Sequence, residues 1–143
     1  MSSMKSQLLK HFRPKPGEIW YVKDKEIRFQ EKNREYKKSR PVLVVSTDIA
    51  LHSERETINI IPLTTSKAPD ALIFPIASAL EDVSNDFTID QNSCAVLSMY
   101  QPISLKYFDK KCAKVDDSCY YAIKATICQK LIGCDGFDLD LSS

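Results

Sequence analysis

Glycine is scarce, three residues in 143, and there are only seven prolines. A chain so poor in both has no long flexible linker, and its length suits one domain with a core of its own. Histidine is scarcer still, with only His11 and His52, both far from any group of cysteines. The five cysteines (Cys94, Cys112, Cys119, Cys128 and Cys134) include no Cys-x-x-Cys pair. No zinc site and no thioredoxin-like redox centre is therefore expected, and the thiols read as reduced and structural. No metal or other cofactor is called for. No run approaches the roughly 20 apolar residues of a membrane-spanning helix. The opening MSSMKSQLLKHFRPKP lacks the apolar centre of a secretory signal. The expected location is the cytoplasm, with no membrane partner.

What is present is ordinary for a globular protein: 43% hydrophobic and 27% charged residues, with a net charge of +1. The near-neutral total hides a segregation. Residues 23–40 carry eight bases against four acids, residues 81–90 carry four acids and no base, and three aspartates fall in the last nine positions. A local basic patch attracts phosphates without making the whole protein a polycation.

Along the chain, residues 2–12 have a short amphipathic pattern (Leu8, Leu9, Phe12) that Pro14 and Pro16 stop. Residues 17–23 alternate and are aromatic, which predicts a strand. Residues 24–39 have no apolar face and read as a long loop, a length that usually serves a function. Residues 41–46 are almost wholly β-branched, the pattern of a strand covered on both faces. A helical turn is expected within 48–55, then strands at 57–61, 71–76 and 93–100, with 62–69 as turn. Asp116 or Asp117 caps a helix to about Ile132, with Gly133 at a left-handed end. Tyr120, Ile123, Ile127 and Leu131 form its docking stripe. The expected architecture is mainly β, a barrel or sandwich at 16–133, between an N-terminal extension (1–15) and an acidic tail (134–143).

Four segments, in order, carry a resemblance: Pro16-Gly17-Glu18-Ile19-Trp20, Ser39-Arg40-Pro41-Val42-Leu43-Val44-Val45-Ser46, Ile61-Pro62-Leu63-Thr64-Thr65-Ser66 and Gln101-Pro102-Ile103. With a C-terminal helix ending Leu131-Ile132-Gly133, this set resembles the MazF/PemK toxins. The resemblance implies an SH3-like β-barrel with small helices, a homodimer, metal-free cleavage of single-stranded RNA, and silencing by a cognate antitoxin protein. It assigns catalysis to Arg40 and Thr64. Lys37, Lys38, Thr65, Ser66 and Gln101 become the expected RNA contacts, and the long loop becomes a flap beside the RNA, with Phe29 and Tyr36 as stacking candidates. Arginine suits such chemistry, because its planar donors match the equatorial phosphate oxygens on which charge builds, and it stays protonated.

The chain also departs from the pattern. Some relatives place an arginine and an aspartate before the Gln-Pro step, where Ser98 and Tyr100 stand here. The loop has neither a histidine nor a Gly-x-Glu-Gln run. The general base is unassigned, with Glu31 and Glu35 as candidates by location alone. A non-catalytic reading therefore stays open: an RNA-binding module, or an inhibitor resembling CcdB, which acts through its C-terminal helix.

Overall fold

The computed structural model describes residues 13–28, 36–45, 57–65 and 72–133. The expected helix at 2–12, the helical turn within 48–55, the acidic tail, Phe29, Glu31, Glu35, Ser66, Cys134 and both histidines lie outside the described residues.

The first described strand, β1 (Glu18–Lys23), pairs antiparallel with β2 (Ser39–Val44), which pairs with β3 (Thr57–Thr64). These three interior strands explain the apolar runs. Even-numbered side chains (Val22, Val42, Val44, Ile58, Ile60) enter one core. Odd-numbered ones (Ile19, Leu43, Ile61, Leu63) enter a second core on the opposite face. Burial on both faces removes the polar half of the usual antiparallel alternation.

On its far side β3 takes two partners in succession. Residues 57–60 pair with β7 (Gln101–Ser104), while Leu63 and Thr64 pair with β6 (Cys94–Val96). Pro62, which has no N–H to give a ladder, stands between the two stretches. Strand β4 (Ile73–Pro75) continues beyond β6, and β8 (Phe108–Val115) flanks β1 with the short β5 (Leu80–Glu81) outside it. The described order is β4-β6-β3-β2-β1-β8-β5, a barrel-like antiparallel sheet whose ends do not pair. The mainly β expectation therefore holds, with two corrections. β3 runs through Pro62 to Thr64 where a turn is expected, and the expected 93–100 strand is split by a 3₁₀ turn, Leu97–Met99.

The helix α1 (Asp117–Ile127) starts where expected: the Asp116 side chain accepts the Cys119 N–H at 2.7 Å, an N-cap worth about 1 kcal/mol. Cys119 and Ile123 enter the first core, and Tyr120 and Ile127 pack against it. The stripe then stops. The chain continues as a wider π-helical turn, Cys128–Ile132, which breaks the 3.6-residue period and leaves Leu131 exposed. Gly133 ends it in the left-handed conformation, φ 81°. Gly17 is likewise left-handed (φ 85°), turning the chain into β1 with the Tyr120 ring 3.6 Å from where a Cβ would stand.

Candidate active site

Arg40 sits in β2 opposite Val22 of β1, and the β2–β3 register (Val42 opposite Pro62), continued by two residues, sets Arg40 across from Thr64. The ends of two interior strands thus bring a guanidinium and a hydroxyl together from distant sequence positions. They line a polar groove of about 230 Å³ with Lys37, Thr65, Leu63 and Ser93.

The guanidinium is held from behind. Its Nε donates to Asp24 Oδ1 at 3.1 Å and its Nη1 to the Leu63 carbonyl at 3.3 Å. The Asp24 side chain has no exposed surface, whereas 16% of the Arg40 side chain is open. Asp24 Oδ2 accepts the Lys37 backbone N–H at 2.8 Å, so one carboxylate fixes both the arginine and the backbone of the neighbouring lysine. Asp24 opens a 3₁₀ turn, Asp24–Glu26, which folds back beside β2: the Asp24 N–H reaches the Lys38 carbonyl at 3.4 Å and its own carbonyl accepts the Ile27 N–H at 3.1 Å. A charged hydrogen bond to a buried carboxylate is among the stronger protein contacts, and it sets the plane of the guanidinium.

Of the expected site residues, Arg40, Thr64, Lys37 and Thr65 share the groove. Lys38 is exposed beside it, outside the groove lining. Tyr36 is also exposed. Gln101, the remaining expected RNA contact, is not among the residues that line the groove. It is buried, its Oε1 accepts the Arg28 N–H at 2.8 Å, and its Nε2 donates to the carbonyls of Arg28 (3.0 Å) and Met99 (2.9 Å). A side-chain amide so engaged holds two backbone segments together.

Two residues of the site escape sequence reasoning. Asp24 is one acid among many in a charged stretch, and nothing in its neighbours marks it as buried. Ser93 reaches the groove only because Cys94 pairs with Thr64. Its N–H donates to Asp90 O at 3.0 Å and its carbonyl accepts from Ile76 at 3.3 Å, which fixes its place in the wall.

Among the described residues no three His, Cys, Asp or Glu side chains group as metal ligands. The four described cysteines are free thiols. Burial pushes Cys112 up to about 12, and burial followed by the Asp116 carboxylate raises Cys119. Since the thiolate is the reactive form, both should stay unmodified by iodoacetamide in native protein at pH 8 and react once it is unfolded. Peptide mass spectrometry checks this. Native labelling of Cys112 at the unfolded rate would contradict its burial.

Residues 15–131 match the family model described as PemK-like, MazF-like toxin of type II toxin–antitoxin system. Among solved structures, the chain is similar to the toxin MazF-mt6 of Mycobacterium tuberculosis (TM-score 0.56, 16% identity, 78% of this chain and 93% of that one). It is similar to an endoribonuclease from a mycobacterial species (TM-score 0.52, 11% identity, 82% and 90%). It is also similar to MazE–MazF from Deinococcus radiodurans (TM-score 0.54, 12% identity, 84% and 96%). At these identities the likeness is one of fold. No curated protein sequence matches the chain.

Proposed function

The chain belongs to the PemK-like, MazF-like toxin family of type II toxin–antitoxin systems, and on that premise we propose that it is a metal-independent endoribonuclease acting on single-stranded RNA. The observation that carries the reading is the Arg40 guanidinium, fixed between Asp24 and the Leu63 carbonyl in a groove shared with Thr64.

In the proposed reaction the ribose 2′-oxygen attacks the adjacent phosphorus, the P–O5′ bond breaks, and a 2′,3′-cyclic phosphate and a 5′-hydroxyl result. The 2′-hydroxyl loses its proton and the departing O5′ gains one. Negative charge grows on the non-bridging oxygens, where a preorganised guanidinium contributes a few kcal/mol of transition-state stabilisation. Arg40 has that role, since it is held before substrate arrives and no reorganisation is needed. Thr64 and Thr65 offer hydroxyl donors to the same phosphate, and Lys37 a diffuse positive charge. Asp24 is not the base: Oδ1 is bound by Arg40 and Oδ2 by the Lys37 N–H.

By the same reading the protein works as a homodimer in the cytoplasm and is silenced by a cognate antitoxin lying across the basic loop. The solved MazE–MazF complex of Deinococcus radiodurans supports such pairing by analogy. Incubation with a long single-stranded RNA in EDTA should release fragments ending in cyclic phosphate. Intact RNA after prolonged incubation removes the ribonuclease reading.

The exposed Leu131 and Ile132 favour a second reading, a non-catalytic inhibitor that binds its target through the π-helical turn Cys128–Ile132 that extends α1. Growth arrest that persists without Arg40 but disappears on Leu131→Glu would select it.

A further inference from the structure

Gln101 and Arg40 stand apart in the sheet, yet their side chains leave it on the same face. Gln101 alternates with Ile103 on β7, and Arg40 alternates with Val42 and Val44 on β2. Ile103, Val42 and Val44 all enter the core that holds Val22, Ile58 and Ile60. Ile60 on β3 is opposite both Gln101 and Val44, so two ladder spacings and four residues of β2 separate Gln101 from Arg40. The two sites are therefore about 16 Å apart across that face.

Residues 24–28 cross the gap as a strap. At one end Asp24 Oδ1 accepts the Arg40 Nε–H at 3.1 Å. In the middle the Asp24 carbonyl accepts the Ile27 N–H at 3.1 Å, and Ile27 is buried in the same core as Ile60 and Ile103. At the other end Gln101 grips the Arg28 backbone. Its Oε1 accepts the Arg28 N–H at 2.8 Å, and its Nε2 donates to the Arg28 carbonyl at 3.0 Å. Serving both the N–H and the C=O of one residue is what a neighbouring strand does, and here one side chain does it. The same Nε2 donates to the Met99 carbonyl at 2.9 Å, which keeps the amide from swinging. A five-residue stretch reaches at most about 14 Å, and the side chains at its ends cover the rest. The place of the wholly buried Asp24 carboxylate is set by the backbone that carries it, and that backbone is pinned at Arg28.

We propose that Gln101 is a positioning residue for Arg40: by pinning Arg28 it fixes the strap, and through the strap the Asp24 carboxylate that orients the guanidinium. Gln101 touches no substrate in this role. What the oriented arginine then does to RNA rests on the ribonuclease reading; the positioning does not.

Gln101→Met tests this, since it keeps the length of the side chain and removes all three bonds. In ¹H–¹⁵N spectra the Arg40 Nε–H signal, identified by its loss in Arg40→Lys, should move in the same direction as it does in Asp24→Asn, toward a solvated guanidinium. Single-turnover cleavage at saturating RNA, measured below the onset of melting, should slow roughly 10- to 100-fold, with KM within about twofold of wild type. In an Asp24→Asn background the same substitution should cost less than about threefold, because the route through the carboxylate is already cut. Gln101→Glu keeps an oxygen for the Arg28 N–H but has no N–H for either carbonyl. It should reproduce both effects and is read instead if Gln101→Met does not fold. A variant that melts earlier but leaves the Arg40 signal and the rate as in wild type overturns the proposal. So does a loss that falls on KM, or one that persists undiminished in the Asp24→Asn background. If wild type cleaves no RNA, the ribonuclease reading falls by itself. The Arg40 signal still decides the strap, and an unmoved signal overturns it.

Discussion

Arg40→Ala is expected to slow RNA cleavage by about 10²- to 10³-fold, the usual consequence of removing one preorganised donor from a developing oxyanion. The same substitution should also weaken the fold. The Asp24 carboxylate is wholly buried, and Arg40 is its charged partner at 3.1 Å. Breaking a buried pair from one side typically costs about 3–5 kcal/mol, because the remaining buried charge loses its opposite charge. Lost activity in this variant therefore mixes two causes. Arg40→Lys separates them. Lysine keeps a positive charge near Asp24, but its ammonium is a point donor without the planar fork that binds Asp24 and Leu63 from behind while facing the groove. This variant should melt within a few degrees of wild type and still lose at least about tenfold in single-turnover rate. Wild-type cleavage by Arg40→Lys would remove Arg40 from the chemistry.

Asp24→Asn is expected to show the second large effect, at a residue outside the groove lining. Asparagine matches the shape and still accepts the Lys37 N–H through its oxygen. Its NH₂ then faces the Arg40 Nε–H, donor against donor, at a buried position. Stability should fall by about 1–3 kcal/mol for the unsatisfied contact. With its guanidinium freed from the Asp24 anchor, the variant should turn over RNA more slowly while KM changes little, since Lys37 and the hydroxyls remain. A double-mutant cycle gives the sharper reading. Asp24→Ala and Arg40→Ala together should destabilise by less than their sum, with a coupling of about 0.5–3 kcal/mol. Additive losses would mean that the two side chains do not support each other.

The sequence shows the interior of this molecule better than its margins. Residues 41–45 form an unbroken apolar run, and 58–63 are apolar but for Asn59, because both faces of β2 and β3 are covered, and few arrangements besides a doubly covered strand produce runs that short and that β-branched. The strand β8 is invisible for a local reason. Its pairing with β1 slips twice (Ile19 to Ala113, Trp20 to Lys111, Val22 to Phe108). Adjacent Cys112 and Ala113 consequently join the same core, and the alternation that marks a strand is lost. Likewise, Pro62 and the Thr-Thr pair suggest a turn, yet the strand persists because β6 pairs with Leu63 and Thr64.

The site divides in the same way. Arg40 and Thr64 are found through ordered motifs, and the cross-strand register explains why two such distant residues belong together. Asp24 is not legible, since its burial depends on a 3₁₀ turn folding back beside β2. Gln101 is legible as a notable residue but not in its role: a buried amide serving two backbones and an exposed amide serving a ligand have the same one-letter code.

The pairing of β1 with β8 has a consequence in time. The first strand of the sheet finds one of its two neighbours only among residues 108–115, and the groove wall needs Ser93 from between. At about 5–20 residues per second on the ribosome, on the order of 3–10 seconds separate the appearance of Thr64 from that of Val115. Throughout that interval β1 has an open edge, and for its first part, until Ser93 emerges, the groove also lacks a wall, so a nascent copy holds Arg40 and Thr64 before the sheet that positions them is complete. By the proposed reading, the chain gains its capacity to cut RNA only once β8 has emerged and closed that edge.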